Sequence, residues 1–488
     1  MAWREYHEAT KHSVESLRRA PRSLDWSNMP DPFRHYKGAP LVDLPANPAF
    51  PEVSALDVLN GIPGTSSARD GAEFLSQLLF HAAAISAAKR VHSTGDKYAL
   101  RVNPSSGNLH PTEFHFTTRG LRDWPDGLYH YCPSAHMAER RALGDFQTLL
   151  GGIAGRVVFI LTSLAWRESW KYGQRAYRYC LHDMGHAWQA LALSARALGC
   201  ASFARGRFPD DQVALVCRFN DDEWPMLLVE VDGAALPLRT PDAGETVWSP
   251  GEANHLSADP ITYSLIDRMH AASKVEVGIF GSGKAATPPT TSSGQRPAAP
   301  SARAFASVVR GRRSALDFVG GASTMSMGQL STILESATRP LDADFSGPFV
   351  QLHIYAHRVD GLGPGLYRYW AERAELEAVH LGDQRVAAAG LSLGQDLAGN
   401  ACVAFSMVGD LDRACEAHGD RGYRYVHFEA GAVGHRMYIA AEAQGLRATG
   451  IGAFFDDRVN RHLLLDDRRQ VVYHFAIGHA IPDPRLEA

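Results

Sequence analysis

Residues 172–211 read YGQRAYRYCLHDMGHAWQALALSARALGCASFARGRFPDD, and residues 418–457 read HGDRGYRYVHFEAGAVGHRMYIAAEAQGLRATGIGAFFDD. The offset is a constant 246 with no gap. Residues 173–213 share 14 identities in 41 positions with 419–459, where unrelated text would share about three. Shorter pieces agree: GLYHY at 127 answers GLYRY at 365, and FLSQLL at 74 resembles QLSTIL at 329. The chain therefore contains an internal duplication, with a period far too long for a solenoid. Two fused copies of one unit imply a pseudo-dimer within one chain.

Each half repeats one order of elements. A helix (71–88 and 327–337) leads to a strand, FHFTT or QLHIYAH, and a hairpin-like segment follows around GLY-x-Y. Next comes an apolar strand, RVVFILTSL at 156 or ACVAFSMVGD at 401. A long helix is predicted over 176–198 and 423–444, closed by Gly199 and Gly445 as C-terminal caps. A last strand, MLLVEVDG or VVYHFAIG, ends the unit. The fold class is α+β: two tandem domains, each a central mixed or antiparallel sheet with helices packed on it. The expected boundaries are an N-terminal domain over 1–270, a linker over 271–303 and a C-terminal domain over 304–488. The stretch KVEVGIFGSGKAATPPTTSSGQRPAAPSAR at 274–303 is rich in Pro, Ser, Thr, Ala and Gly in its second half and cannot bury a core.

Composition narrows the function class. The 488 residues are 45% apolar and 21% charged, with a formal net charge of -4, which gives no reason to expect nucleic acid or an anionic membrane as partner. Six cysteines form no C-x-x-C pair, so no zinc ribbon or dithiol redox motif is present. The start, MAWREYHEATKHS, is charged where a signal peptide needs an apolar core, and no 18-residue apolar run occurs. The expectation is a soluble, cytoplasmic protein.

Two stretches carry candidate chemistry. Residues 103–116 read NPSSGNLHPTEFHF. Small residues there let backbone N–H groups approach an acceptor-rich ligand, and Asn108 offers both a donor and an acceptor. The same residues would also suit an Asx or Ser turn that enters a strand. Residues 308–318 read VVRGRRSALDF. Arg312, Arg313 and Ser314, expected near the start of a helix, would suit a phosphate monoester; a solvated basic patch is the alternative. His110, His115, His130 and His136 fall in a short window but alternate across predicted strands and turns with no i, i+4 pair, so no metal site is expected.

At these residues the chain resembles a known family. S-S-G-N-L-H-P-T-E-F-H-F is similar to the flavin-contacting loop of the FMN-dependent nitroreductases, and R-R-S before a helix resembles their phosphate-binding element. E-A-G (429–431), A-A-E-A-Q-G-L (440–446) and G-I-G-A-F-F-D-D (450–457) resemble the SagB-type branch, dehydrogenases that oxidise thiazolines and oxazolines in ribosomal peptides. YHEATKHS and LDWSNMPDPF look like the leader of that branch. The resemblance covers most of both halves, least over 41–70 and 240–303.

The resemblance implies an FMN at the interface of two subunits, one supplying the phosphate arginines and the loop near flavin N5, the other the P-S-S-x-N loop. The first half has that loop but reads LNGIPGTSSARDG where R-R-S should stand; the second has R-R-S but reads TRPLDADFSGPF where the serine loop should be. One composite site per chain follows. Arg312, Arg313 and Ser314, with Arg101 as a further candidate, would take the phosphate. Pro104, Ser105, Ser106, Gly107 and Asn108 would take the ring, His110 would touch flavin or substrate, and Gly452 and Ala453 would form the N5 loop. The azoline-oxidising enzymes also resemble this chain in a Lys-Tyr pair, here Lys171 and Tyr172. A lysine of lowered pKa would remove a proton as hydride leaves, with the tyrosine orienting it. Lys97 and Tyr98 are a rival pair. The implied function is azoline or related oxidation through flavin on a small-molecule or peptide substrate. The alternatives are NAD(P)H-dependent nitro or quinone reduction, with NAD(P)H as donor, and a non-catalytic flavin-binding scaffold. The fused pseudo-dimer would act as a monomer or pair again.

Overall fold

The computed structural model describes residues 1–19, 23–90, 95–242, 244–276, 303–345 and 347–486. Most of the expected linker lies outside the described residues. The first sheet runs, edge to edge, Val247–Trp248, Met137–Leu143, Gly127–Cys132, Thr112–Thr118, Val157–Ser163, Trp224–Asp232 and Ala201–Arg205, with Leu41–Asp43 also paired to Met137–Leu143. The second runs Glu375–Leu381, Gly365–Trp370, Val350–Ala356, Val403–Asp410, Arg469–Gly478 and Arg447–Ile451. Every pairing in both is antiparallel. Each half is thus the same α+β unit, and the tandem arrangement holds. The central strands VVFILTS and TEFHFTT are buried along their whole length, as strands covered on both faces must be.

The long helices, Ala176–Ala197 and Gly422–Ala443, lie within a residue or so of the expected bounds. Gly199 and Gly445 follow them with φ of +81° and +77°, the left-handed closure that glycine adopts without Cβ strain. The two helices cross at Gly185 and Gly431, positions related by the repeat offset. A Cβ on Gly185 would fall 2.2 Å from the Phe428 carbonyl oxygen, and one on Gly431 would fall 2.1 Å from that of His182. The pseudo-dimer interface is therefore backbone against backbone. Tyr6, from the helix Ala2–Ala9, wedges edge-on between Tyr177 and Tyr423, again a repeat-related pair.

Each half also clamps the other. Arg175 and Arg178 both donate to Asp456, and Arg421 and Arg424 both donate to Asp210. All six are buried and each set is the other shifted by 246. The helix Ala2–Ala9 has its own counterpart in Ser264–Ala272: Thr10 and His7 accept from Arg175 and Arg178 through their carbonyls, as Ser273 and His270 do from Arg421 and Arg424. The expected boundary at 270 falls inside this second helix.

Two expectations need correction. The helix expected over 71–88 ends at Phe80, and Ile85–Arg90 is a strand paired with Lys97–Arg101. Its alanines favour a helix, but pairing with the hairpin partner and with the C-terminal segment (Arg90 N–H to the Arg485 carbonyl, 2.9 Å) overrides propensity. Arg312–Ser314 do not open a helix: they follow the helix Phe305–Gly311, and Ser314 bridges Ala448 on the sheet edge. Helix N-terminal amides therefore contribute nothing at R-R-S. No helix among the described residues is long and apolar enough to cross a membrane.

Candidate functional site

A cavity of about 340 Å³ opens between the halves, within the usual size range of roughly 300–1,000 Å³ for ligand pockets. Its wall contains Arg101, Pro104, Ser105, Ser106, Gly107 and Asn108 from the first half, and Arg312, Arg313, Ser314, Gly452 and Ala453 from the second. The structure thus brings together residues from opposite ends of the chain that the sequence nominated separately.

The serine loop is pinned from below. Ser105 Oγ donates to Asp183 (2.6 Å), as do Ser106 Oγ (3.0 Å) and the Ser106 amide (3.0 Å). Asp183 sits on the first long helix, where burial raises its carboxyl to about 7. Glu168, wholly buried beside it, is held well above the ordinary carboxyl range by burial and by Asp183. The two carboxyls lie close enough under the loop for each to act on the other's proton affinity. At the loop tip Gly107 has φ +58°, and a Cβ there would fall 2.5 Å from the Tyr172 hydroxyl and 3.1 Å from Lys171 Nζ. Lys171 and Tyr172, at the end of the helix Ala165–Tyr172, therefore sit against Gly107. Tyr172 lines the cavity; its hydroxyl is raised above the ordinary tyrosine range by burial and then by Glu168. Lys97 and Tyr98 lie on the hairpin strand; neither of them, nor Lys171, is part of the cavity wall.

His110 is behind the loop and not on the wall. Its amide donates to Ser105 Oγ (2.8 Å), and its Nε2 lies 3.1 Å from Asn108 Oδ1, so it orients Asn108. The expected contact with a ligand is corrected to a supporting one. Arg313 also differs from expectation. Its guanidinium donates to the Ser86 hydroxyl and carbonyl and to the Arg310 and Arg312 carbonyls, which ties the hairpin to the R-R-S turn. Ser314 Oγ lies 2.8 Å from the Tyr438 hydroxyl.

The remaining cations are poorly compensated. Arg101 is 2% exposed and donates one bond, to the Pro32 carbonyl, leaving Nε and Nη1 without partners. Arg312 is 4% exposed, and its Nη1 is likewise unpartnered. Burial depresses both guanidinium groups, Arg101 to about 10. Gly452 and Ala453 amides also find no acceptor among the described residues. Buried N–H donors without partners are costly; Glu113 offsets part of the charge on Arg101 and Glu442 part of that on Arg312. An acceptor-rich anion such as a flavin mononucleotide would suit the donors on the cavity wall, Arg312, Ser314 and the Gly452 and Ala453 amides.

The repeat-related position in the other arrangement is filled by the chain itself. The Phe345 ring stacks on Tyr425 at 4.3 Å with an interplanar angle of 9°. The Asp344 carboxylate accepts from the Gly206 and Arg207 amides (2.7 and 3.3 Å), the counterparts of Gly452 and Ala453. Asp342 and Asp344 also bond through their backbones to Ala204.

The nitroreductase family profile matches this chain twice, over residues 73–233 and 309–479. The chain belongs to the nitroreductase family. A nitroreductase-like protein of Methanocaldococcus jannaschii is 30% identical over 166 residues, which span 32% of this chain and 82% of that protein. The crystal structure of a nitroreductase-like protein from Anabaena variabilis superposes with a TM-score of 0.77 at 23% identity, covering 98% of this chain and 99% of that one. The second likeness is one of fold and extends over both halves. Membership makes this nitroreductase-family chain an oxidoreductase by kinship.

Sequence reasoning missed several wall residues, among them His186, Tyr438 and Tyr473. A signal for them exists in the repeat: the positions 246 away hold Ala432, Ala192 and Leu227. A polar residue facing an apolar one across the duplication marks the side that kept a ligand cavity. Tyr179, in the YRY text shared by both halves, also lines the cavity.

Proposed function

We propose that the chain holds one FMN in the cavity between its halves and acts as a SagB-like dehydrogenase on an azoline or related substrate. The observation that carries this reading is the cavity wall, which joins Arg312, Ser314, Gly452 and Ala453 to the serine loop and Tyr172, with Lys171 against the loop tip. Arg101, Arg312 and Ser314 would hold the phosphate, with Arg313 bracing the turn that presents Arg312. Ser105–Asn108 would support the ring, and the Gly452 and Ala453 amides would meet its acceptor atoms. When bound, FMN supplies hydride acceptance.

The rest belongs to the chain. Asp183 fixes the serine loop by accepting three of its hydrogen bonds. Lys171 is solvent-exposed, its Nζ beside Gly107 of the serine loop, and would take the substrate proton at Nζ. Tyr172 stays a neutral hydroxyl, because burial opposes its ionisation, and orients by hydrogen bonding. The SagB-like text at 429–431, 440–446 and 450–457 supports oxidation as the direction of the reaction.

The test is anaerobic mixing of the yellow protein with an azoline-containing peptide, NADH or NADPH while flavin bleaching is followed. The peptide should bleach it, and Lys171→Ala should keep its flavin while slowing bleaching by roughly 10²-fold or more. Bleaching by NAD(P)H alone would replace this reading with the reductase one, and undiminished Lys171→Ala would remove the lysine from the chemistry.

A further inference from the structure

The cluster that the flavin reading leaves unused lies at the far end of the first sheet, where His35, Cys132 and Glu139 meet. Cys132 ends the strand Gly127–Cys132 and Glu139 lies in its antiparallel neighbour Met137–Leu143. His35 comes from the N-terminal segment, immediately before Tyr36, whose amide donates to Glu139 Oε2 at 3.1 Å. His130 Nδ1 lies 2.8 Å from the same Oε2. That oxygen is thereby satisfied, and the other, Oε1, is left 3.7 Å from His35 Nδ1. Cys132 Sγ is 3.5 Å from His35 Nδ1, and the three donor atoms all lie within 4.8 Å of one another.

The two separations from His35 Nδ1, 3.5 Å to Cys132 Sγ and 3.7 Å to Glu139 Oε1, are close to the edges of a metal polyhedron. A tetrahedral zinc ion with bonds of roughly 2.0–2.3 Å to N, O and S holds its ligands roughly 3.3–3.6 Å apart. Cys132 and Glu139 are buried, and the His35 side chain is 37% exposed. A fourth position on that side is open to water, and the Ser134 hydroxyl lies 3.2 Å from the thiol. The outer partners needed to orient a carboxylate ligand are also in place: the Tyr36 amide and His130, itself 3.1 Å from Glu113 Oε2. None of the four histidines in the window 110–136 belongs to the ligand set.

We infer that His35 Nδ1, Cys132 Sγ and Glu139 Oε1 form a divalent-metal site of the zinc class. One nitrogen, one sulfur and one oxygen donor suit a borderline ion and do not suit magnesium or calcium, which take oxygen sets. The metal would staple the N-terminal segment to the sheet. It would also anchor one end of a buried chain of polar contacts: Glu139 to His130, His130 to Glu113, Glu113 to Arg167, and Arg167 to the His110 carbonyl (2.7 Å) behind the serine loop.

The full-length holoprotein is stripped with a chelator, dialysed against zinc chloride, and its bound metal counted by elemental analysis; cobalt chloride is added in parallel and its visible d–d bands recorded. The expected result is one zinc per chain and intense tetrahedral cobalt bands, with affinity falling at least about tenfold in Cys132→Ser and in His35→Ala. His35→Ala changes a half-exposed side chain and serves if Cys132→Ser does not fold. Stoichiometric zinc that survives both substitutions unchanged, or no zinc above buffer background, overturns the site.

Discussion

Asp183 and Glu429 occupy the same helical position in the two halves and meet different loops. Asp183 accepts from Ser105 and Ser106; Glu429 accepts from the Phe349 and Val350 amides at 2.8 Å each. Burial raises each to about 7, from ordinary values of 3.8 and 4.5. Over that interval the folded chain keeps two protons that the unfolded chain has released. The contribution of these two groups to stability therefore falls as pH rises through it and levels above about 7, opposed by the buried histidines whose depressed values act in the other direction. In urea unfolding, the stability of Asp183→Asn and of Glu429→Gln relative to the parent should each rise as pH increases over this range; a pH-independent difference would contradict the assignment. Asp183→Asn should also loosen flavin, since its amide presents donors to the serine donors, whereas Glu429→Gln should leave flavin content unchanged. Arg312→Ala removes a cation that lines the cavity and should weaken FMN binding roughly 10- to 100-fold, read by fluorescence titration. At this scale the serine loop, R-R-S, Gly452–Ala453 and Lys171–Tyr172 were legible, because each is a local motif. Glu168, His186, Tyr438 and Tyr473 were not, because each is an ordinary helix or strand residue until the chain folds around the cavity.

The two long helices set the geometry of everything above them. Their crossing leaves no room for a methyl group at Gly185 or Gly431. Gly431→Ala should cost about 2 to 3 kcal/mol in chemical denaturation, as overpacking against rigid backbone does. Gly390 lies in the helix Arg385–Leu391 with nothing within 4 Å of its would-be Cβ, so Gly390→Ala should stabilise by about 0.5 to 1 kcal/mol. Equal effects at the two sites would show that helix propensity, not the crossing, decides. The long helices were readable from sequence because apolar spacing and a closing glycine agree. The segment 81–90 was not, because its alanines favour a helix while its partners lie at 97–101 and 485–486. The turn at Arg312–Ser314 misled for a related reason: its extended form is imposed by Ala448, more than a hundred residues away.

Across the whole molecule, the duplication supplies symmetry and the site breaks it. Both cross-half clamps are intact, and removing the acid of either strands two buried arginines. Asp456→Asn and Asp210→Asn should each cost about 3 to 5 kcal/mol. Only Asp456→Asn should also lower flavin affinity, because Arg175 donates to the Gly452 carbonyl as well (3.2 Å); equal flavin loss in both would make the clamp purely a matter of stability. The duplication and the complementary loss of motifs between halves were visible in the sequence by alignment of the chain to itself. What fills the second position was not visible, because Asp342–Phe345 meets the Ala201–Arg205 strand and Gly206 only through tertiary folding. Phe345 and Asp344 there occupy the contacts that a ring and its acceptor atoms would need. The most direct measurement is to reconstitute the full chain with excess FMN, remove the unbound fraction, denature a known amount and quantify the released flavin. One FMN per chain is the result predicted here; two per chain, or none, would contradict it.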